Sequence, residues 1–157
     1  MAQSLNNLAS NYSDQGRHPE AEALNKRSLA IREKSLGLDH PDVALTLNNI
    51  AMNYAGQGRY GDAELLFKRS LAIIEKALGP EHPGLAKILN NIASNFHDQG
   101  HYEEAEPLYN SSLAIREKAF GPEHPDVAKA LANLSLYYFD KLDLRLALAN
   151  IRRPVQF

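Results

Sequence analysis

The octapeptide LNNLASNY beginning at Leu5 returns as LNNIAMNY from Leu47 and as LNNIASNF from Leu89, a fixed spacing of 42 residues. The intervening segments repeat as well: GRHPEAEALNKRSLAIREKSLGLDHPDVA from Gly16, GRYGDAELLFKRSLAIIEKALGPEHPGLA from Gly58 and GHYEEAEPLYNSSLAIREKAFGPEHPDVA from Gly100. A period of 20 to 50 residues constrains the fold strongly. Each unit is too small to bury its own apolar face and does so by stacking on its neighbours, which makes the chain a solenoid. A fourth copy opens at Leu131 as LANLSLYY and then decays.

Within a unit the apolar residues follow helical spacing. Leu47, Ile50, Ala51 and Tyr54 form one stripe, and Ala63, Phe67, Leu71 and Ile74 form another, so each unit is a helix pair. The pair is broken internally at AGQGRYG. Between units the break is LGPEHP, where Gly79 suits a helix end and Pro83 the first turn of the next helix. Asp42 and Asp126 follow the equivalent prolines and place negative charge where a helix N-terminus favours it. Pro107 falls near the start of its helix and is not expected to kink it.

The pattern Leu-x2-Ile-Ala-x2-Tyr followed by Ala-x3-Phe, carried by Leu47, Ile50, Ala51, Tyr54, Ala63 and Phe67, resembles the tetratricopeptide repeat. The longer unit, ending in LGPEHPDVA, is similar to the 42-residue repeat of kinesin light chains and of related bacterial and fungal proteins. The resemblance spans residues 1 to about 151. It implies an all-α, right-handed superhelix of antiparallel helix pairs, with the first helix of each pair lining a concave surface. It also implies a non-enzymatic module that binds an extended peptide of a protein partner in its concave groove or, alternatively, a structural or oligomerising scaffold, such as the sensor array of a larger effector protein, whose concave face binds nothing on its own. The units are expected at 1–42, 43–84 and 85–126, with a truncated fourth unit or cap at 127–153 and a tail at 154–157.

At 100° per residue, Leu5, Leu8, Ala9 and Tyr12 share one packed arc, and Asn6 falls just outside it in a polar arc with Gln3, Ser10, Ser13 and Asp14. Asn7 lies at the margin of that arc. Carried along the period, one row reads Asn6, Asn48 and Asn90, with Ala132 departing, and its neighbour reads Asn7, Asn49, Asn91 and Asn133. An asparagine side chain both donates and accepts, so a ladder of them suits the backbone of an extended peptide. The same residues could instead tie one repeat to the next. Helical geometry favours the first row for the ligand, whereas the family resemblance favours the second.

Variable rows would select the peptide's sequence. Met52 and Ser94 share one row with Ser10 and Leu136, and Lys87 and Lys129 place positive charge towards the C-terminal half of the groove. The lysines suit an acidic peptide or a chain carboxylate, in keeping with the acidic, aromatic-containing motifs that kinesin light chains recognise. Asp14, Asp98 and Asp140 along one edge work against it. Leu136 and Phe139 are expected to be covered by the chain's own C-terminal segment.

Other chemistries find little support. The 17 basic and 19 acidic residues give a formal charge of −2, which offers no electrostatic case for nucleic acid or an anionic membrane. With no cysteine there is no thiolate ligand or nucleophile. His40, His82 and His124 recur in the inter-unit turn, and equivalent positions at least about 8–10 Å apart are too distant to share a metal. His97 and His101 straddle a glycine turn, and Glu103, Glu104 and Glu106 sit at a helix start. No metal, cofactor or catalytic residue is expected, and a cytoplasmic location is the default.

The fourth unit replaces the turn glycine with Leu142 but keeps Ala147 and Ile151 at the Ala-x3-Phe positions, so a short last helix over Arg145–Arg152 is expected. Solenoid ends expose what internal units bury, and a homodimer through the terminal helices is the leading oligomeric expectation.

Overall fold

The computed structural model describes the backbone of residues 1–151 and the side chains of residues 1–145. Seven helices follow one another: α1 (Ala2–Asp14), α2 (His18–Leu36), α3 (Pro41–Gly56), α4 (Tyr60–Leu78), α5 (Pro83–Asp98), α6 (Tyr102–Phe120) and α7 (Pro125–Ile151). The odd-numbered helices form one layer and the even-numbered helices the other, each even helix packing on the odd helices before and after it. This is the all-α solenoid of helix pairs that the period dictates.

Two kinds of turn alternate, and both depend on glycine. Inside each pair Gly16, Gly58 and Gly100 take φ of 72°, 74° and 76°, and between pairs Gly37, Gly79 and Gly121 take φ of 84° to 90°. Residues with a Cβ reach the left-handed helical region at a cost of roughly 1–2 kcal/mol, and the inter-unit glycines, at ψ of 161° to 167°, occupy a region essentially confined to glycine. After each inter-unit glycine a histidine caps the next helix. The Nδ1 atoms of His40, His82 and His124 accept from the backbone N–H groups of Asp42, Gly84 and Asp126 at 3.0–3.1 Å. The recurring histidines are therefore caps, and each is followed by a proline whose missing N–H costs nothing at that position.

The main core lies between α3, α4 and α5, where Val43, Leu47, Ile50, Phe67, Ile74, Ile88 and Ile92 pack together. A second cluster joins Ala93, Ala105, Tyr109 and Tyr137 and attaches α7. Burying a side chain such as Phe67, 1 % exposed, contributes roughly 2–3 kcal/mol. Ser28, Ser70 and Ser112, also one period apart, donate to the carbonyls of Ala2, Ala44 and Ala86 at 3.0, 2.7 and 2.6 Å and fix each second helix on its first.

Two expectations are corrected. α7 is one continuous helix from Pro125 to Ile151 and not a helix pair, because Leu142 stands where the other units have a glycine at positive φ, and a leucine continues the helix more readily than it turns. Leu136 and Phe139 are not covered by any described part of the chain and are 56 % and 66 % exposed. Pro107 is the sixth residue of α6 and forfeits one bond, to the Glu103 carbonyl, and α6 runs through it unbroken, as its place near the helix start led one to expect. Ala147, Ile151 and the tail at 154–157 lie outside the described side chains.

Candidate functional site

The asparagine rows meet each other across repeats. Asn91 Nδ2 donates to Asn48 Oδ1 at 2.9 Å, and one repeat further on Asn133 Nδ2 donates to Asn90 Oδ1 at 3.0 Å. In these two rungs the second asparagine position bonds the first asparagine of the preceding repeat. Asn48 is wholly buried and accepts from Asn91, so it is a strut between helices of the odd layer, contrary to the expectation that it faces a ligand; Asn6 is buried too, at 5 % exposure. Their burial follows from position, since a residue at the edge of the packed arc is covered once a neighbouring helix lies beside it. Asn49, Asn90, Asn91 and Asn133 are half-buried, and Asn7 is exposed and accepts from Gln3 at 3.0 Å.

The first rung is open. Asn6 Nδ2 reaches Thr46 Oγ1 at 3.4 Å, while Asn6 Oδ1 is buried without a partner. Beside it is a cavity of about 350 Å³ lined by residues of α1, α2, α3 and α5, among them Asn6, Ser10, Asn49, Met52 and Lys87. Met52 is half exposed, and its sulfur lies 3.3 Å from Asn91 Nδ2. Ser94 is half-buried and does not line that cavity.

Lys87 also borders a second depression, of about 470 Å³, together with Arg116, Phe120, Asp126 and Lys129. The two lysines singled out in the sequence are therefore brought together. Lys129 bridges to Asp126 at 3.3 Å, and Arg116 Nη1 donates to the Asp126 carbonyl at 3.0 Å. Burial lowers the Arg116 pKa, with the Asp126 charge opposing that shift. Three cations thus face one carboxylate, which leaves this end of the surface net positive.

Several contributors have no counterpart in the sequence expectations. Arg116 is one; its equivalents are Arg32, which donates to the Asp42 carbonyl at 2.9 Å, to Thr46 Oγ1 at 2.9 Å and to Gln3 Oε1 at 2.7 Å, and Ile74. Asn95 Nδ2 donates to the Tyr60 carbonyl at 3.4 Å, and Tyr137 at the same place in the next unit donates to the Tyr102 carbonyl at 2.9 Å. The third asparagine of the octapeptide therefore holds a helix start of the preceding unit. His97 is 10 % exposed at its side chain, lies 2.8 Å from Asp140 and is surrounded by Tyr102, Tyr109 and Tyr137. Among the described residues there is no group of three or more acidic or histidine side chains able to hold a metal. Nor is any helix long and apolar enough to cross a membrane.

Stacked helix pairs, cap histidines at every unit boundary and a polar face along the first helices define a helical-repeat interaction scaffold. The tetratricopeptide repeat profile matches residues 1–76, 66–118 and 91–153, and the chain belongs to that family. Its particular likeness is to the kinesin light chain type. A Podosopora anserina protein of that type, built of nearly identical TPR-like repeats, superposes with a TM-score of 0.77 at 25% identity, covering 98% of this chain and 77% of that one. A variant of that protein gives 27% identity over 94% of this chain and 69% of the other, again at 0.77. BtubC (BKLC) of P. vanneervenii shares the fold, with 20% identity, 99% and 67% coverage and a TM-score of 0.77. Among curated proteins none matches the sequence significantly. Tetratricopeptide arrays are in general protein-interaction modules, typically without catalysis.

Proposed function

We propose that the odd-helix face binds an extended peptide of a protein partner, with acidic residues directed to its C-terminal half. The observation that carries this reading is the position of Lys87, which borders both the polar cavity beside Asn49 and Met52 and the cationic depression formed with Arg116 and Lys129. A peptide crossing Lys87 meets amides on one side and positive charge on the other. Asn49, Asn91 and Ser94 supply hydrogen bonds to its backbone, and Met52 supplies an adaptable apolar contact. Asn48 and Asn6 hold the helices that present these groups. Asp14 on the cavity wall sets the direction, because it repels acidic residues from the N-terminal half.

Fluorescence anisotropy with a labelled decapeptide of alternating glutamate and aromatic residues tests the proposal. The wild type should bind, with affinity falling as salt rises, and Lys87→Glu combined with Lys129→Glu should weaken binding at least about tenfold, equivalent to about 1.4 kcal/mol. A folded wild type that binds no such peptide, or a double variant that binds equally well, overturns it.

A second reading is favoured by a separate observation. Leu131, Leu136, Phe139, Leu142 and Leu144 of α7 are all more than two-fifths exposed, which suits self-association through the terminal helix.

A further inference from the structure

In the 42-residue alignment, Phe67 and Tyr109 occupy the last position of the Ala-x3-Phe pattern, and both rings are buried, at 1 % and 4 % exposure. The first unit has Asn25 at that place. An asparagine fills much less space than a ring, and the cavity of about 350 Å³ adjoins it. The hollow is thus a core position of the repeat from which the ring has been removed. Its walls are unlike those of an ordinary packing defect, which are apolar. Asn6 from α1, Asn25 from α2 and Asn53 from α3 all line it, and each is at most 5 % exposed.

Two of these amides carry atoms without partners: the acceptor Asn6 Oδ1 and the donor Asn53 Nδ2. Buried polar atoms are nearly always bonded, and leaving them unmet is costly, so a lined hollow with one free acceptor and one free donor is suited to a ligand group that supplies the converse of each. We propose that this hollow receives a carboxamide side chain, glutamine or asparagine, from a bound peptide. Presentation by a peptide rests on the groove reading above.

The chemistry separates the candidates. A carboxamide is neutral and carries its donor and acceptor on two different atoms, which suits partner groups supplied by different helices. A carboxylate offers acceptors only, so it would meet Asn6 Oδ1 with another oxygen, and the two charges on the wall, Asp14 and Lys87, offset each other. An ammonium group has no acceptor for the Asn53 donor, and a hydrocarbon satisfies neither atom. A phenol would have to serve both from one oxygen.

The probes are N-acetyl N-methylamide derivatives of glutamine, glutamate, norleucine and tyrosine, titrated at millimolar concentration into the ¹⁵N-labelled full chain. The side-chain amide signals of Asn6, Asn25 and Asn53 are followed. The glutamine derivative should shift them saturably, with a Kd at least about tenfold below those of the other three, as expected for two neutral hydrogen bonds. Asn25→Phe should abolish that binding by restoring the ring. Asn53→Ala should keep the hollow but remove the preference for glutamine over norleucine. Equal binding of the four probes overturns the proposal, as does undiminished glutamine binding by either variant. Glutamine binding with no capture of the acidic decapeptide counts against the groove reading alone. Capture of the decapeptide with no glutamine preference counts against the carboxamide site alone.

Discussion

Adjacent asparagines occur six and five residues before an aromatic in every full unit, yet the two members of a pair have different work. Asn48 lies wholly inside, and Asn91 reaches back to it, so this pair joins the second repeat to the third. Asn49 is the equivalent of Asn91 one repeat earlier, but its strut partner Asn6 is left with an unpartnered oxygen. Two substitutions of the same type at equivalent positions should therefore behave differently. Asn91→Ala leaves the Asn48 oxygen buried and unmet and should lower stability by about 1–3 kcal/mol. Asn49→Ala breaks no such bond and should change stability by less than about 0.5 kcal/mol. Urea unfolding of the two variants, with decapeptide binding measured on each, checks this; equal destabilisation would show that the repeats are stitched alike.

α7 shows what one residue does to an element. Gly16, Gly58 and Gly100 turn the chain back at positive φ, and Leu142 at the equivalent place lets the helix continue to Ile151. Attachment of this long helix to α6 relies on a polar anchor. Glu106 accepts from Tyr137 and Tyr138 at 2.9 Å and from Lys141 at 2.6 Å. The Lys141 bond first, then those of the two tyrosines, hold its carboxyl down at about 2. A carboxyl with a depressed folded pKa stabilises fully above its ordinary value of 4.5, and the contribution is lost as pH falls from about 4.5 towards about 2. Near-ultraviolet circular dichroism of the tyrosine cluster should therefore weaken in that window, and Glu106→Gln should flatten this part of the acid transition. An identical acid profile for wild type and variant would remove Glu106 as the anchor.

Across the whole molecule, two helical layers bury a core centred on α3, α4 and α5, while the outer flank of α7 remains apolar and uncovered. Leucines on such a flank are the surface that a neighbouring repeat or a partner covers. If a second copy covers them, light scattering after gel filtration should give twice the 17.4 kDa chain mass at high concentration. Phe139→Asp with Leu144→Asp should then return it to the monomer without weakening the decapeptide. A wild type that stays at 17.4 kDa at all concentrations rules out the dimer.

The period, the helix pairs, the glycine turns and the proline starts were all legible in the chain, because each is a local rule copied three times: apolar spacing of 3.6, positive φ at glycine, a fixed φ at proline. So were Lys87 and Lys129 as a pair, since equivalent residues of stacked units must be neighbours. What the linear pattern left open was which edge of the polar arc is covered. Asn48 and Asn49 differ by 100° around one helix, and only the neighbouring helix decides which is buried. Asn25 stands in the alignment where Phe67 and Tyr109 stand in the next units, but whether the missing ring leaves a hollow or a collapsed core depends on how three helices close around it. Arg116 joined the lysines for a related reason: a residue of the even layer comes to the odd face only through the packing of α6 against α7. The repeat and its local geometry follow from local rules in the chain; burial and the partners of the amides were decided by tertiary packing, because they depend on residues about one period apart meeting across helices.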